Sequence, residues 1–222
     1  MDGERKRSFG NPAIDRFLQH CHVRQVAPKT VLIKSGDVPD TLYFVVDGSV
    51  AVIIEDAEGT EIVLAYLNPG EFFGEMGMFL PLARRSAWVR ARSVSRIAEM
   101  SYAKFKQLAH EDPDLLFALS GQLAARLVRT TRKVGDLAFL DVTGRIARTL
   151  LELTKEPDAM THPDGMQIKV SRQELSRLVG CSREMAGRVL KVLEEQGLIT
   201  ATGKTIVVYN ARPKPKLKAV GL

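Results

Sequence analysis

The hydrophobic pattern of the chain changes its period near residue 113, and this change limits the fold more than any other feature. Between residues 30 and 100, short runs rich in Val, Ile, Tyr and Phe recur about every ten residues, with turn sequences such as Asp47-Gly48 between them. This spacing predicts an antiparallel β-sandwich or barrel. After Pro113 no proline interrupts the chain as far as Leu140, which predicts a long helix. The sequence therefore predicts an α+β fold.

The predicted long helix carries a heptad pattern. One series is Leu116, Leu123, Thr130 and Leu137, and a second series, offset by four positions, is Ser120, Leu127 and Val134. A seam of this length favours a parallel homodimer, although it can instead pack against its own β-domain. Thr130, followed by Thr131, places a hydroxyl where leucine is expected. That hydroxyl either sets the register of the helices or faces a buried ligand.

The last third of the chain predicts a winged helix-turn-helix. Ser171 and Glu174 have the spacing of a capping box, Gly180 marks a turn, and Ser182 can cap a second helix. The buried face of that helix is Ala186, Val189, Leu190 and Leu193. A loop at 158–165 and a strand at 166–170 precede the two helices, and residues 198–209 form a hairpin around Gly203-Lys204.

The opposite face of the second helix is charged, with Arg183, Glu184, Arg188 and Lys191 around Gly187. Arginine and glutamate can read guanine and cytosine edges in the major groove, and a glycine allows close approach to DNA. Residues that flank this face and would reach phosphates or base edges are Arg172, Gln173 and Lys204. The alternative is a solvated surface with i,i+4 pairs such as Glu184–Arg188.

The distribution of charge favours an anionic partner for the same region. Residues 142–222 hold 14 Lys and Arg against 8 Asp and Glu, and 14 − 8 = +6 equals the net charge of the whole chain. The chain has no apolar run long enough to span a membrane and no secretory signal, so we expect a cytoplasmic protein with no membrane partner. Two cysteines predict neither a disulfide framework nor a metal site. No nucleophile–base set is present, so we expect no enzyme activity.

A loop in the predicted β-domain combines groups suited to a sugar phosphate. Glu75, beside Gly74, offers an acceptor for a sugar hydroxyl, and Arg85-Ser86 offers a guanidinium and a hydroxyl for a phosphate. The amides of Gly74 and Gly77 can add donors. As a loop residue, Arg85 is expected to lie outside the core. The alternative is a structural salt bridge within the loop.

Several ordered blocks resemble the bacterial family of cyclic-nucleotide-sensing transcription regulators. They are "PGEFFGEMG", "RRSAWVRAR", "KVGDLAFLDVTGRIARTLL", "PDAMTHPDGMQIKVSRQEL" and "VGCSREMAGRVLK". The resemblance implies a β-roll cyclic-nucleotide-binding domain at 1–112, a dimerisation helix and hinge at 113–139, and a winged helix-turn-helix at 140–210. A basic tail at 211–222 follows. It also implies a cyclic AMP-responsive homodimer that binds palindromic double-stranded DNA, activates or represses transcription, and contacts RNA polymerase.

By the same resemblance, specific residues acquire roles. Those implied to bind cyclic AMP are Gly74, Glu75, Met76, Gly77, Arg85, Ser86, Arg126, Thr130 and Thr131. Those implied to bind DNA are Arg172, Gln173, Ser182, Arg183, Glu184, Arg188, Lys191 and Lys204. Those implied to contact RNA polymerase are Ala159, Thr161, His162 and Gly165, with a second patch at His22 and Lys104.

Other ligands and functions remain as alternatives. The same fold can respond to cyclic GMP or to cyclic di-GMP, but regulators that release DNA on cyclic di-GMP binding tend to lose the Arg-Ser pair that is present here. A regulatory subunit of an enzyme would not need the C-terminal reader. An iron–sulfur sensor would need more cysteines than Cys21 and Cys181.

Overall fold

The computed structural model describes residues 8–80 and 84–212. The chain forms two units, residues 1–129 and residues 130–222. Most of the predicted basic tail lies outside the described residues, since the description ends at Arg212.

The N-terminal unit is built mainly from short antiparallel strands. Its elements are α1 (Pro12–Gln19), β1 (His22–Val26), β2 (Val31–Ile33), β3 (Thr41–Asp47), β4 (Val50–Glu55), β5 (Glu61–Leu67), β6 (Phe72–Phe73), α2 (Met76–Phe79), β7 (Trp88–Ala91), β8 (Ser95–Ser101) and α3 (Tyr102–Glu111). Its described strands form two four-stranded sheets, with orders β1-β8-β3-β6 and β2-β7-β4-β5. The predicted antiparallel β-domain is confirmed.

Two hydrophobic clusters hold this unit together, and adjacent residues of β6 belong to different clusters. Phe72 lies in one cluster with Phe17, Phe44 and Phe105 of α3. Phe73 lies in the other cluster, with strand residues of the second sheet. The Phe72 ring packs edge-on against Phe44 and Phe17, at 4.8 and 5.1 Å between centroids. Because strand side chains alternate between faces, β6 is fixed from both sides.

The turn between β3 and β4 shows why the predicted Asp47-Gly48 pair ends a strand. Gly48 has φ +80°, and a Cβ at this position would come within 2.5 Å of the Val94 carbonyl oxygen. Only glycine adopts this backbone conformation without strain and fits so close to a neighbouring chain segment.

Helix α4 runs from Asp114 to Phe139, immediately after Pro113 as predicted. In its first half, Leu115 and Leu119 are buried. In its second half, apolar side chains of the predicted seam are exposed to solvent, with Leu127 at 67% and Val134 and Leu137 at 60%. Exposed apolar surface of this kind marks a site for a partner.

The C-terminal unit contains α5 (Val142–Leu153), β9 (Met160–His162), β10 (Gly165–Lys169), α6 (Arg172–Val179), α7 (Arg183–Glu195), β11 (Ile199–Thr202) and β12 (Thr205–Tyr209). Its sheet has the order β11-β12-β10-β9. The predicted β11–β12 hairpin is confirmed. The predicted loop at 158–165 was wrong in part, because Met160–His162 pairs with β10 and makes a second hairpin.

The predicted helix signals in this unit are confirmed. The Ser171 hydroxyl accepts a hydrogen bond from the Glu174 amide at 3.1 Å, and the Ser182 hydroxyl accepts one from the Met185 amide at 3.1 Å. Gly180, at the end of α6, has the left-handed φ of +71°. These contacts satisfy amides that the helix itself leaves unpaired and fix the start of both helices.

In the part of the chain that the structure describes, no helix is both long and apolar enough to cross a lipid bilayer.

Candidate functional site

The backbone of Arg85 is held in place by the loop between β2 and β3. The Arg85 amide donates to the Asp37 carbonyl oxygen at 2.9 Å, and its carbonyl oxygen accepts from the Gly36 amide at 2.8 Å. The residue is only 9% exposed. The expectation that Arg85 lies outside the core was therefore wrong, because its loop is bonded to a neighbouring loop that covers it.

The guanidinium group of Arg85 has fixed partners. Its Nη1 donates to the Gly74 carbonyl oxygen at 2.7 Å and to the Tyr102 hydroxyl at 3.1 Å, and its Nη2 donates to the Thr41 carbonyl oxygen at 2.7 Å. The Tyr102 hydroxyl also donates to Gly74. The rings of Tyr43 and Tyr102 lie 5.8 Å from the guanidinium carbon. These contacts bring together the segments around Gly74 and Arg85, the two parts of the predicted sugar-phosphate site.

Burial raises the pKa of Tyr102, and the charge of Arg85 partly opposes this rise. The phenol therefore keeps its proton at neutral pH and remains a donor to the Gly74 carbonyl oxygen. Gly74 itself has φ +77°, and a Cβ there would lie 2.7 Å from Nη1 of Arg85. Glycine is thus required at this position both for the backbone conformation and for the approach of the guanidinium.

Glu75, the predicted sugar ligand, is 4% exposed and forms an ion pair with Arg126 of α4, at 2.9 Å between Oε1 and Nη1. Nη2 of Arg126 donates to the Phe72 carbonyl oxygen at 2.7 Å. Glu75 directly precedes the short helix α2, whose first residue Met76 is half exposed. The Ser86 hydroxyl lies 3.6 Å from the sulfur of Met76.

Helix α4 holds the β6–α2 segment through three side chains on one face. Gln122 donates to the Gly70 carbonyl oxygen at 2.7 Å and accepts from the Phe72 amide at 2.9 Å, and Arg129 forms an ion pair with Glu71 at 2.9 Å. Arg126 lies between them. Sequence reasoning missed Gln122 and Arg129, whose i, i+7 spacing was the available signal, and it missed Tyr102, which no local pattern marks.

Two predicted ligand residues, Thr130 and Thr131, lie on the part of α4 that belongs to the C-terminal unit. Both side chains are exposed. Their position one turn beyond Arg126 follows from the helix itself.

The charged face predicted on α7 is present. The side chains of Arg183, Glu184, Arg188 and Lys191 are exposed, and Ala186, Val189, Leu190 and Leu193 are buried on the opposite side. The alternative of a surface held by a Glu184–Arg188 pair is not seen, since these two described residues form no ion pair. Lys191 instead lies 3.8 Å from Glu195. Two of the predicted arginines thus keep all their side-chain donors available.

The residues predicted to flank this face are also exposed. Arg172 and Gln173 start α6, and Lys204 lies at the tip of the β11–β12 hairpin. Ser182 uses its hydroxyl as the cap of α7, as described above. Gly187 does not lie in open space: a Cβ there would meet the side chain of Arg172 at 3.5 Å.

The predicted polymerase-contact residues fall on two separate surfaces. Ala159, Thr161, His162 and Gly165 lie in or beside the β9–β10 hairpin, which belongs to the C-terminal unit. His22 and Lys104 are exposed in the N-terminal unit, where Lys104 donates to the His20 carbonyl oxygen at 2.6 Å.

Cys21 lies between His20 and His22, and burial raises the pKa of its thiol to about 12. Across the described ranges, no group of three or more His, Cys, Asp or Glu side chains is arranged to hold a metal ion.

The antiparallel β-domain with buried Arg85 and Glu75, followed by the helix-turn-helix unit, places the chain in the class of DNA-binding transcription regulators. Residues 23–112 match the family model of the cyclic nucleotide-binding domain, and residues 144–212 match that of the Crp-like helix-turn-helix domain. The chain belongs to the CRP family of transcriptional regulators.

Individual relatives agree with this assignment. The chain is 58% identical to the cAMP-activated global transcriptional regulator CRP of Salmonella typhimurium, over 91% of this chain and 96% of the relative. It is 57% identical to the cAMP-activated global transcriptional regulator Vfr of Pseudomonas aeruginosa, over 90% and 94%. The solved structure of the c-di-GMP responsive global regulator CLP of Xanthomonas campestris is similar with a TM-score of 0.83 and 51% identity, over 89% and 98% of the two chains.

Proposed function

We propose that this chain is a cyclic AMP-responsive, sequence-specific DNA-binding transcription regulator. It acts as a homodimer on palindromic operators and contacts RNA polymerase. The observation that carries the proposal is the buried guanidinium of Arg85, which the carbonyl oxygens of Gly74 and Thr41 orient, in a domain of the cyclic nucleotide-binding type that also buries Glu75. The regulator acts by binding alone and needs no catalytic residue.

The donors of Arg85 suit a cyclic phosphate. Three of its five N–H groups bond to Gly74, Tyr102 and Thr41, which leaves the Nε–H and one Nη2–H on the same edge of the planar group. Two parallel donors on one edge match two phosphate oxygens. The exposed Ser86 hydroxyl adds a third donor, and amides of Gly74 and Gly77 can supply more. The protein contacts therefore orient Arg85 without using up its phosphate-binding edge.

The sugar is expected at Glu75. Its Oε1 accepts from Arg126, so its other oxygen can accept from the ribose 2′-hydroxyl while the ion pair persists. Arg126 in this role holds the carboxylate in a fixed orientation. Thr130 and Thr131 would contact the adenine, Thr130 from the same subunit and Thr131 from the partner.

The second half of α4 supports a homodimer. Its exposed apolar residues Leu127, Val134 and Leu137 repeat at heptad spacing, and burial against a second copy would remove them from water. We therefore assign residues 113–139 to dimerisation and the hinge, residues 1–112 to ligand binding and residues 140–210 to DNA binding.

The reading of DNA is assigned to α7, with help from α6 and the hairpin tip. Arg183 and Glu184 lie at the N-terminus of α7, where a recognition helix meets base edges, as the well-studied helix-turn-helix complexes show. Arg172, Gln173, Arg188, Lys191 and Lys204 are exposed around it and suit phosphates or further base edges. The β9–β10 hairpin and the patch at His22 and Lys104 remain available to RNA polymerase.

A second ligand deserves a direct test because of one comparison. The chain is 51% identical to CLP, which is a c-di-GMP responsive regulator. Two observations favour cyclic AMP: the Arg85-Ser86 pair is present, and the relatives at 57–58% identity are cAMP-activated.

The test is calorimetric titration of the purified chain with cyclic AMP, cyclic GMP and cyclic di-GMP. A parallel titration uses the protein bound to a palindromic duplex, which the protein itself selects from a random pool in the presence of each nucleotide. We expect cyclic AMP to bind and to strengthen binding to the duplex by at least about fivefold, the lower range of allosteric coupling. Release of DNA by cyclic di-GMP, without any response to cyclic AMP, would assign the chain to the second ligand.

A further inference from the structure

Gly187 lies within the charged face of α7, and the side chain of Arg172 from α6 packs over it. A Cβ built on Gly187 would lie 3.5 Å from Cδ and 3.7 Å from Nε of Arg172, and these are its nearest side-chain neighbours. Arg172 is the first residue of α6, directly after the Ser171 cap. The side chain of Arg172 therefore crosses from α6 over the backbone of α7 at Gly187.

The position of Gly187 on α7 determines which residues lie near the Arg172 side chain. Residues three and four positions apart lie side by side on a helix, so Gly187 adjoins Arg183, Glu184 and Lys191. All three are exposed and belong to the face assigned to DNA. The Arg172 Nε is thus held next to the residues that read the groove, although Arg172 belongs to the other helix.

The distance decides which side chains fit at this position. A contact of 3.5 Å is ordinary van der Waals separation, so the Cβ of alanine fits without moving Arg172. Atoms beyond Cβ would occupy the volume of the Arg172 stem. A small residue is therefore needed at this position, although glycine itself costs a helix interior about 1 kcal/mol relative to alanine.

We propose that Gly187 is a positioning residue for Arg172: it provides the surface over which the Arg172 stem passes, and so fixes the guanidinium for a DNA phosphate. This differs from the expectation that Gly187 serves direct close approach of α7 to DNA. The inference rests on the proposed function, since it concerns how the same DNA face is assembled.

The experiment is a double-mutant cycle on binding to a duplex that the wild-type protein selects from a random pool. The variants are Gly187→Leu, Arg172→Ala and the double variant, with Gly187→Ala as the matched control. Leucine favours helix, so it displaces Arg172 without breaking α7. Affinity is measured over a series of salt concentrations, and thermal unfolding checks that each variant is folded.

We expect Gly187→Leu and Arg172→Ala each to weaken binding by about 100-fold, because the homodimer loses one charge-assisted contact in each of its two half-sites. Each should lower the salt slope by about two. The double variant should bind no worse than Arg172→Ala, because both changes remove the same contact. Gly187→Ala should bind within about twofold of wild type, whereas direct contact of Gly187 with DNA would make it clearly weaker.

Additive losses in the double variant, or an unchanged salt slope in Gly187→Leu, would overturn the positioning role. If Gly187→Leu unfolds, a marked loss of affinity in Gly187→Ala overturns it equally well. Failure of the proposed function looks different: the wild-type protein would then enrich no duplex from the pool in the presence of any nucleotide.

Discussion

The arginines of the proposed ligand site and those of the proposed DNA face are held in opposite ways. In the N-terminal unit, Arg85 and Arg126 are held by carbonyl oxygens, a phenol and a carboxylate of the protein itself. In the C-terminal unit, Arg172, Arg183 and Arg188 are exposed, and none of them donates a side-chain hydrogen bond to another described residue. The same side chain is thus a fixed part of the structure in one unit and a solvated probe in the other.

The two sets of arginines lose their conformational freedom at different steps. A long side chain loses about 1.5–2 kcal/mol of rotamer freedom when it is fixed. For Arg85 and Arg126, that loss and the loss of hydration occur when the protein folds. For the α7 arginines, they occur when DNA binds. In the proposed ligand site, the fixed arginines favour a ligand of one shape. On the proposed DNA face, the free arginines can first bind the phosphates of many sequences and then discriminate among base sequences.

The largest effect is expected for Arg85→Leu. The change removes the phosphate-binding edge and should weaken cyclic AMP binding by at least about 30-fold, since truncation of a buried charged partner costs about 2–5 kcal/mol. It also leaves the carbonyl oxygens of Gly74 and Thr41 without their donor, so the free energy of unfolding should fall by about 2–4 kcal/mol. Calorimetry of cyclic AMP binding and thermal unfolding measure the two effects.

Arg85→Lys serves as the control for this prediction. Lysine keeps the charge but not the planar fork, so we expect it to recover part of the stability and little of the affinity. Undiminished cyclic AMP binding by Arg85→Leu would show that the phosphate lies elsewhere.

An intermediate effect is expected for Arg126→Met. This change leaves the carboxylate of Glu75 buried without its partner, and we expect the free energy of unfolding to fall by about 2–3 kcal/mol. The partial exposure of Arg126 puts this value below that of a fully buried pair. Urea unfolding measures it, and Arg126→Met combined with Glu75→Gln should recover most of the loss. An unaltered unfolding midpoint in the single variant would mean that water already replaces the pair.

The smallest effect on folding is expected on the DNA face. Arg183→Ala should change the free energy of unfolding by no more than about 0.5 kcal/mol, because the side chain is exposed. It should weaken binding to the selected operator by about 1–3 kcal/mol and relax preference at one base pair of each half-site. Glu184→Ala is the comparison, since it should lose specificity with almost no change in nonspecific binding. Equal losses on every duplex would remove Arg183 from base reading.

The sequence predicted those parts of the fold whose signals are local. Ser171, Gly180 and Ser182 mark helix ends by contacts within three or four residues, and the helix and turn boundaries that they predict are confirmed. Strand β6 was missed, because two residues are too few to show a period. The hairpin partner β9 was missed for the same reason.

For the ligand site, the sequence supplied the groups but not their protein partners. The pairing of Arg85 with Gly74 joins positions eleven residues apart, and that with Tyr102 joins positions seventeen apart. The expectation that Arg85 is outside the core was wrong for the same reason: burial depends on which loop folds over it. Such contacts follow from the tertiary fold and leave no periodic trace along the chain.

The division of Phe72 and Phe73 between two hydrophobic clusters has a consequence for how this family member can change over evolution. Neighbouring strand residues exchange faces whenever the chain shifts by one position. A single inserted or deleted residue at β6 would send each ring to the wrong cluster, and would carry Gly74 away from Arg85 and Glu75 away from Arg126. We therefore expect the start of the ligand loop to accept new side chains, at Met76 for instance, far more readily than any new length.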